Sequence, residues 1–309
     1  MSCALLVFCN DLAKDPVASH VLEKVLEANT LTETALVIDG LPVLQKIQGN
    51  DMFYIMRTEV VLSHDYMRYA QTINEHFSDV DVVITVNWHE GSKAPNSIFT
   101  IQTIGDMQSG VFSPINPKIT YQLYKEVELE RKRLNLDAFT TWMEATHWSG
   151  VVFGEQPGQY VGKIKPSVLD LEIGSSVEDW SNPVAAQVIA NAVFKVFNET
   201  NAAVFPILFI GGVHFEPSLT DMVRNTLDSK RVAASHILPN HWLVANGYDS
   251  ESRLEDLGNC VSSIEGGIEC IVFHDNLKGI YKDNVKKLSS LIGKPAYNHK
   301  QFRKLVESE

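Results

Sequence analysis

Acidic and imidazole side chains recur where apolar, β-branched runs of the sequence end, and both residue types ligate zinc or transfer protons near neutral pH. The candidates are His89, the pair Glu144 and His147, Glu172, and His214. One such residue at a strand end is more often a hydrogen-bonded structural group than a catalytic one. The hypothesis of a reactive site therefore rests on their recurrence, because open α/β sheets bind ligands at the carboxyl ends of their strands.

Glu172 is the most informative of these residues, because it lies between Leu171 and Ile173 inside an apolar run. Burying an ionised carboxylate is costly unless a cation or several hydrogen-bond donors accompany it. We therefore predict that Glu172 has such a partner in the folded chain.

Glycines beside these groups favour a close approach between the backbone and a ligand. Gly211 and Gly212 precede His214 and allow a sharp turn, while Gly174 and Ser175 offer exposed amides and a hydroxyl. Paired glycines after a strand are also common in ordinary turns. The sequence has no G-x-G-x-x-G opening a helix and no P-loop, and it lacks the H-E-x-x-H and G-x-S-x-G signatures. These absences disfavour nucleotide hydrolysis and the common zinc protease and serine esterase classes, and they leave other hydrolases open.

The elements that must position these residues alternate between short apolar runs and longer helix-periodic stretches, as in an α/β sheet flanked by helices. We predict strands at 4–9, 35–38, 80–86, 98–104, 168–173, 205–210, 233–238 and 269–273. We predict helices at 16–28, 64–76, 117–134, 183–198, 216–228, 254–263 and 278–292. The helix after Asn182 has the clearest start, because Asn182 can cap its free amides while Pro183 occupies the first turn.

The sequence predicts a single domain over residues 1–309, because no repeat, low-complexity segment or Pro/Gly-rich linker divides the chain. The longest irregular stretch, 154–166, follows a histidine-bearing motif. It is interpreted either as a tolerated surface loop or as a lid over a site.

Composition limits the classes of partner. The formal charge of −12 argues against an extended basic surface, and so against binding to DNA or other long nucleic acids through many phosphates. No stretch approaches the roughly 18 consecutive apolar residues of a membrane span. The first residues also lack a signal peptide, so we expect no membrane partner and a cytoplasmic protein. The four cysteines show no metal or disulfide spacing and are expected to be reduced core residues.

The C-terminal segment 278–304 is locally basic despite the acidic total. Its cations are Lys278, Lys282, Lys286, Lys287, Lys294, Lys300, Arg303 and Lys304, set against Asp283. Two interpretations stay open, the solvated face of a helix and a patch that contacts phosphates.

Taken in order, these segments resemble the metal-dependent D-aminoacyl-tRNA deacylases of archaea and plants. The strongest element is the run 166–176, PSVLDLEIGSS, followed by Glu178 and Trp180. It is similar to the family's P-s-x-F-I-E-I-G-S-T with a later tryptophan. Further similarity lies at residues 144–147, 211–217 and 235–239, and in Lys14-Asp15-Pro16 after the first strand. The resemblance extends over nearly the whole chain.

The chain departs from the family's motifs at several positions. Trp148 stands where the family has a second histidine, and Gln102 stands where it has the histidine of T-V-H. Asn87 and Trp88 replace the Ser-Arg of S-R-H, and Asp106 replaces the asparagine of G-N. One basic and two imidazole groups are thereby lost, so the resemblance identifies a divergent member.

The resemblance implies an α/β fold of three layers, α/β/α, with a mostly parallel or mixed sheet, similar to that of peptidyl-tRNA hydrolases and purine nucleoside phosphorylases. It implies hydrolysis of the ester joining a D-amino acid to the 3′ end of tRNA, with zinc as cofactor. The implied catalytic residues are Glu172 as ligand or general base and His147 and His214 as ligands or proton carriers. The implied metal ligands are His89, Glu144, His147, Glu172 and His214. The implied substrate-binding residues are Thr146, Ser175, Gly211, Gly212 and His236.

Two rival functions remain open. The altered positions Trp88, Gln102 and Trp148 favour a non-catalytic relative that binds a nucleotide or a protein partner. Because fold does not determine reaction, another small hydrolase or a phosphorylase on the same architecture is the second rival. The accepted amino acids, the number of metals and the oligomeric state are not readable from the sequence.

Overall fold

A computed structural model describes residues 1–91, 94–199 and 202–307. The chain divides into two compact units, each assembled from three separate stretches. Unit 1 comprises Met1–Ile101, Gln122–Trp142 and Ile164–Thr200, and unit 2 comprises Gln102–Tyr121, Met143–Lys163 and Asn201–Glu309. That residues 1–309 act as one domain stays a prediction.

Strands and helices alternate along the chain, as the sequence predicts. The strands are β1 (Cys3–Cys9), β2 (Thr32–Ile38), β3 (Leu41–Gln48), β4 (Asp51–Thr58), β5 (Val82–His89), β6 (Ile98–Thr103), β7 (Gly105–Asp106), β8 (Val111–Phe112), β9 (Thr140–Met143), β10 (Ser167–Gly174), β11 (Phe205–Ile210), β12 (Val232–Leu238), β13 (Cys270–Phe273) and β14 (Ala296–Asn298). The helices are α1 (Pro16–Ala28), α2 (Tyr66–His76), α3 (Pro117–Arg133), α4 (Val177–Trp180), α5 (Pro183–Ala192), α6 (Pro217–Asn225), α7 (Asn240–Ala245), α8 (Leu254–Ser262), α9 (Gly279–Ile292) and α10 (His299–Glu307). None of the helices in the described ranges has the length and apolar character needed to cross a bilayer.

The larger sheet has the order β2-β3-β4-β1-β5-β10-β6-β9. Strand β1 pairs in parallel with β4 and β5, and β5 pairs in parallel with β10, whereas β2, β3 and β4 pair antiparallel. Nearly every residue of β1, β5 and β10 is buried, so both faces of the central strands are covered. The predicted α/β class with a mixed sheet is confirmed.

Helices of unit 1 begin at capped positions. The Asp15 side chain accepts a hydrogen bond from the Ala18 amide at 2.8 Å, and α1 then packs against β1, β5 and α5. The Asn182 side chain accepts from the amides of Val184 and Ala185, both at 3.0 Å, which confirms the predicted cap of α5.

Unit 2 contains a second sheet of order β12-β11-β13-β14, in which every pairing is parallel. Gly211 and Gly212 follow β11 with φ of +96° and +74°, a backbone conformation that side chains with a β-carbon rarely adopt. The predicted sharp turn before His214 is thus confirmed, and it lies at the carboxyl edge of this sheet.

Within the irregular stretch 154–166, residues 157–163 pack against the hairpin of β7 and β8 in unit 2. Two 3-10 turns lie in it, Val161 is buried, and a β-carbon at Gly158 would overlap the Ser109 hydroxyl. It is therefore an anchored segment of the unit, more tightly held than a tolerated surface loop.

Candidate active site

Three of the predicted site residues meet within unit 2. The Nε2 atom of His214 lies 2.7 Å from Oε1 of Glu144, and the Nε2 atom of His147 lies 4.0 Å from the same oxygen. One donor atom from each residue lies within 4.8 Å of the other two. The exposed fraction of the side chain is 0% for Glu144, 11% for His147 and 29% for His214. We call these three residues the unit 2 cluster.

Backbone pairing brings the unit 2 cluster together from distant parts of the chain. Glu144 directly follows β9 and forms an isolated bridge with Phe215, next to His214. His147 forms another bridge, with Ile104. These pairings place residues 144–147 beside residue 215 and beside residue 104. The side chains of Glu144, His147 and His214 therefore converge.

Glu144 is a buried carboxylate whose two oxygens both have donors. Oε1 faces His214, as described above, and the side-chain amide of Gln102 donates a hydrogen bond to Oε2. These donors offset the cost of burying the charge.

Two predicted substrate-binding residues, Thr146 and His236, are completely buried in unit 2. The Nδ1 atom of His236 lies 2.8 Å from Oγ1 of Thr103 and 3.3 Å from Oγ1 of Thr146, and its Nε2 lies 3.0 Å from Oγ of Ser263. Burial lowers the pKa of His236 to about 3, so the ring is neutral. Thr146 and His236 thus contact each other in the buried part of unit 2 next to the segment that carries Glu144 and His147, and their role in substrate binding stays a prediction.

Three further predicted residues meet in unit 1. Nδ1 of His89 lies 2.9 Å from Oγ of Ser175, and a ring nitrogen of His89 lies within 4.8 Å of a Glu172 oxygen. Glu172 is buried, and Oγ1 of Thr100 lies 3.5 Å from its Oε2. We call His89, Glu172 and Ser175 the unit 1 cluster.

The segment 174–180 holds His89 in place. Gly174 lies opposite His89 in the parallel register of β5 and β10, and a β-carbon added to it would lie 2.6 Å from that of His89. The indole nitrogen of Trp180 donates to the His89 carbonyl at 3.0 Å. The run most similar to the deacylases therefore supports a histidine of a different segment.

Comparison with known proteins shows which family this chain belongs to. The family model described as D-aminoacyl-tRNA deacylase matches residues 76–296, a range that contains both clusters. The chain belongs to the D-aminoacyl-tRNA deacylase family. A D-aminoacyl-tRNA deacylase of Pyrococcus abyssi is 26% identical over 231 residues, which are 74% of this chain and 78% of that protein. One of Archaeoglobus fulgidus is 27% identical over 194 residues, 59% of this chain and 62% of that protein.

A solved crystal structure of a conserved protein of unknown function shares the fold. It superposes with a TM-score of 0.75 at 18% sequence identity and covers 98% of this chain and 97% of its own. At this identity the likeness concerns the fold alone, which extends beyond the range matched by the deacylase family model.

Aromatic rings surround the unit 2 cluster of this deacylase family member. Trp148 stacks on His147 with ring centroids 4.0 Å apart and an angle of 23°, and the peptide bond that joins them is cis. His241 and Trp242 lie 5.8 and 5.2 Å from His214. Burial, and then the nearby His214, lower the pKa of His241. The proximity of His241 and Trp242 to His214 could not be predicted from the sequence, because no motif spacing connects residues 241–242 with residue 214.

The basic segment 278–304 is largely neutralised by ion pairs within unit 2. The pairs are Lys286 with Asp283, Lys287 with Glu251, Lys294 with Glu269, Lys300 with Asp275, and Arg303 with Glu307. The solvated-face interpretation agrees better with these pairs than a continuous phosphate-contacting patch does.

Proposed function

We propose that this protein hydrolyses the ester bond between a D-amino acid and the 3′ end of tRNA. The observation that carries the proposal is the cluster of Glu144, His147 and His214, inside a range that matches the deacylase family. Hydrolysis of an ester needs an activated water, a group that stabilises the oxyanion, and a proton for the leaving ribose oxygen. A buried carboxylate in contact with imidazoles can activate the water and can supply the proton for the leaving ribose oxygen.

The hydrogen bond between Glu144 and His214 gives a route for one proton. Glu144 accepts a proton from the attacking water, and His214, 2.7 Å away and partly exposed, passes it to the leaving oxygen. His147 contributes a second imidazole beside the same carboxylate oxygen and donates a hydrogen bond to the developing oxyanion.

Zinc, which the family resemblance implies, fits this donor set. Two imidazole nitrogens and one carboxylate oxygen form a common protein ligand set of catalytic zinc, and here they are mutually within 4.8 Å. Glu144, His147 and His214 would hold the ion in place of the proton route described above, because an oxygen and a ring nitrogen that ligate zinc cannot share a proton with each other. When bound, it would act as a Lewis acid toward the ester carbonyl.

In unit 1, His89, Glu172 and Ser175 are proposed as site residues of that unit. The hydroxyl of Ser175, held by His89, offers a hydrogen bond to a ribose or amino group. Glu172 is proposed, as the family resemblance implies, as a metal ligand or general base. In unit 2, the Gly211–Gly212 turn leaves room for a close approach by the terminal nucleoside. We place this activity in the cytoplasm.

The test compares release of D-tyrosine and L-tyrosine from tyrosyl-tRNA by the purified protein, with and without added zinc. We expect selective release of D-tyrosine by the wild type. Removing a general acid or base typically costs about 100- to 10,000-fold, so Glu144→Gln and Glu172→Gln should lose activity on that scale or more. The matched control is Glu255→Gln, an exposed residue of α8, which should leave the rate unchanged.

No release by the wild type under any metal condition would contradict the proposal. The non-catalytic binding function would then become the better account. Equal release of D- and L-tyrosine would retain a hydrolase but remove the preference for D-amino acids.

A further inference from the structure

Two of the positions at which the chain departs from the family's motifs contact the unit 2 cluster directly. Trp148 stacks on His147, and Gln102 donates to Glu144. We infer that Trp148 and Gln102 are a supporting pair that positions this cluster, so that the loss of the two histidines is compensated by orientation of the groups that remain. The inference deepens the proposed function and rests on it.

Trp148 restricts the orientation of the His147 ring. The planes are 23° from parallel with centroids 4.0 Å apart, which is a face-to-face contact. An imidazole covered on one face by an indole loses most of its freedom to rotate about its χ angles, and an imidazolium would also gain from the π electrons of the indole. Trp148 is half-buried and is itself in contact with Phe153, at 6.4 Å between centroids, so it is supported in turn.

Gln102 restricts the orientation of the Glu144 carboxylate. Its amide nitrogen donates to Oε2, while Oε1 faces both His214 and His147. Rotation of the carboxylate out of its present plane would break the contact with Gln102, so the amide holds the other oxygen toward the imidazoles. Because an amide does not titrate, the donor of this hydrogen bond keeps its charge state at every pH, unlike a histidine at the same position.

Trp148 contacts His147, and Gln102 contacts Glu144. Glu144 in turn contacts His214, so the orientation of Glu144 also affects His214. Gln102 precedes the Thr103 and Ile104 backbone that pairs with His147, so its position is fixed by the same strand. Supporting contacts of this kind, when removed, typically cost about 10- to 100-fold in activity or ligand affinity.

The test uses the full chain and two readouts. The first is kcat and KM for D-tyrosyl-tRNA, and the second is the ¹H–¹⁵N spectrum of the imidazole rings in the protein without added substrate. We expect Trp148→Ala and Gln102→Leu each to lower kcat about 10- to 100-fold with KM changed less than about twofold. Trp148→Phe keeps an aromatic face and should recover kcat to within about threefold of the wild type. In the spectra, the readout is the His147 tautomer pattern given by the ¹⁵N shifts, because ring currents move the proton signals in any variant at Trp148. This pattern should change in Trp148→Ala and be retained in Trp148→Phe.

Wild-type kcat together with unchanged imidazole spectra in Trp148→Ala and Gln102→Leu would overturn the inference. A rise in KM alone would also overturn it, because it would assign the pair to substrate contact. The spectra are independent of turnover, so they decide the inference even if the wild type releases no D-tyrosine. Thermal unfolding of each variant separates loss of orientation from loss of fold.

Discussion

Gly174 is a glycine because there is no room for a β-carbon beside His89. Its backbone has an ordinary φ, so the restriction is one of space, since the added carbon would lie 2.6 Å from the β-carbon and 3.0 Å from the carbonyl oxygen of His89. The glycine of the strongest motif is thus explained by a neighbouring strand and not by a turn.

We expect Gly174→Ala to displace His89 and to lower kcat/KM for D-aminoacyl-tRNA. A displacement of about 1 Å costs on the order of 100-fold, and overpacking costs about 1–3 kcal/mol of stability. The measurement is steady-state kinetics together with urea unfolding. The matched control is Gly258→Ala in α8, where nothing lies within 4 Å and the alanine should stabilise the helix by about 1 kcal/mol. Unchanged kinetics in Gly174→Ala would show that the position of His89 is not critical.

The sequence indicates candidate residues for a site, and it does not indicate which of them are in contact. The prediction that Glu172 has a partner agrees with the nearby Thr100 hydroxyl and His89 ring. The contact between Gln102 and Glu144 was not predictable, because the two residues are 42 positions apart and meet only where the chain folds back. The roles assigned to these residues stay predictions.

At the scale of elements, apolar β-branched runs identified the buried strands, and helix periodicity with caps identified most of the helices. Strands β3 and β4 were missed because their polar and apolar residues alternate irregularly, although Gly49, with φ of +62°, marks the turn between them. Helix α5 ends at Ala192 and not at the predicted 198, because residues 193–195 form a 3-10 turn. Helix α7, with six residues, is too short for periodicity to be read.

The cap of α1 gives a pH-dependent stability. Burial raises the pKa of Asp15 from 3.8 to about 7, although the amides of Ala18 and Val17 oppose this rise. A raised pKa means that the folded chain binds the proton more tightly than the unfolded chain. The contribution to stability is therefore fully present below pH 3.8 and is lost as pH rises through about 7.

We expect wild-type protein to lose more stability between pH 5 and pH 8 than Asp15→Asn, which keeps a capping oxygen without a charge. Urea unfolding at both pH values measures the difference. If the two proteins lose the same amount, the carboxyl of Asp15 is ionised in the fold at pH 5 and the burial argument is wrong.

At the scale of the whole molecule, the chain carries a formal charge of −12 while its substrate class is a polyanion. Five of the eight cations of the basic segment 278–304 form ion pairs with carboxylates, which lowers the charge that the segment can offer to phosphates. Recognition of tRNA is then expected to depend on few phosphates.

We expect the logarithm of kcat/KM to fall with the logarithm of salt concentration with a slope of about −1 to −2, as for one to three neutralised phosphates. The double variant Glu251→Gln and Glu269→Gln releases Lys287 and Lys294 from their pairs and should steepen the slope. A wild-type slope near −6 would instead show an extended phosphate-binding surface.

The interleaving of the two units along the chain has a consequence for biosynthesis. Strand β5 ends at His89, but its neighbour β10 ends at Gly174, and the contact between His89 and Ser175 joins residues 86 positions apart. While the intervening segments are being translated, the nascent chain presents one edge of β5 without its partner strand. Such an edge is a template for pairing with other chains. The folded chain, in which β5 pairs with both β1 and β10, no longer presents this edge.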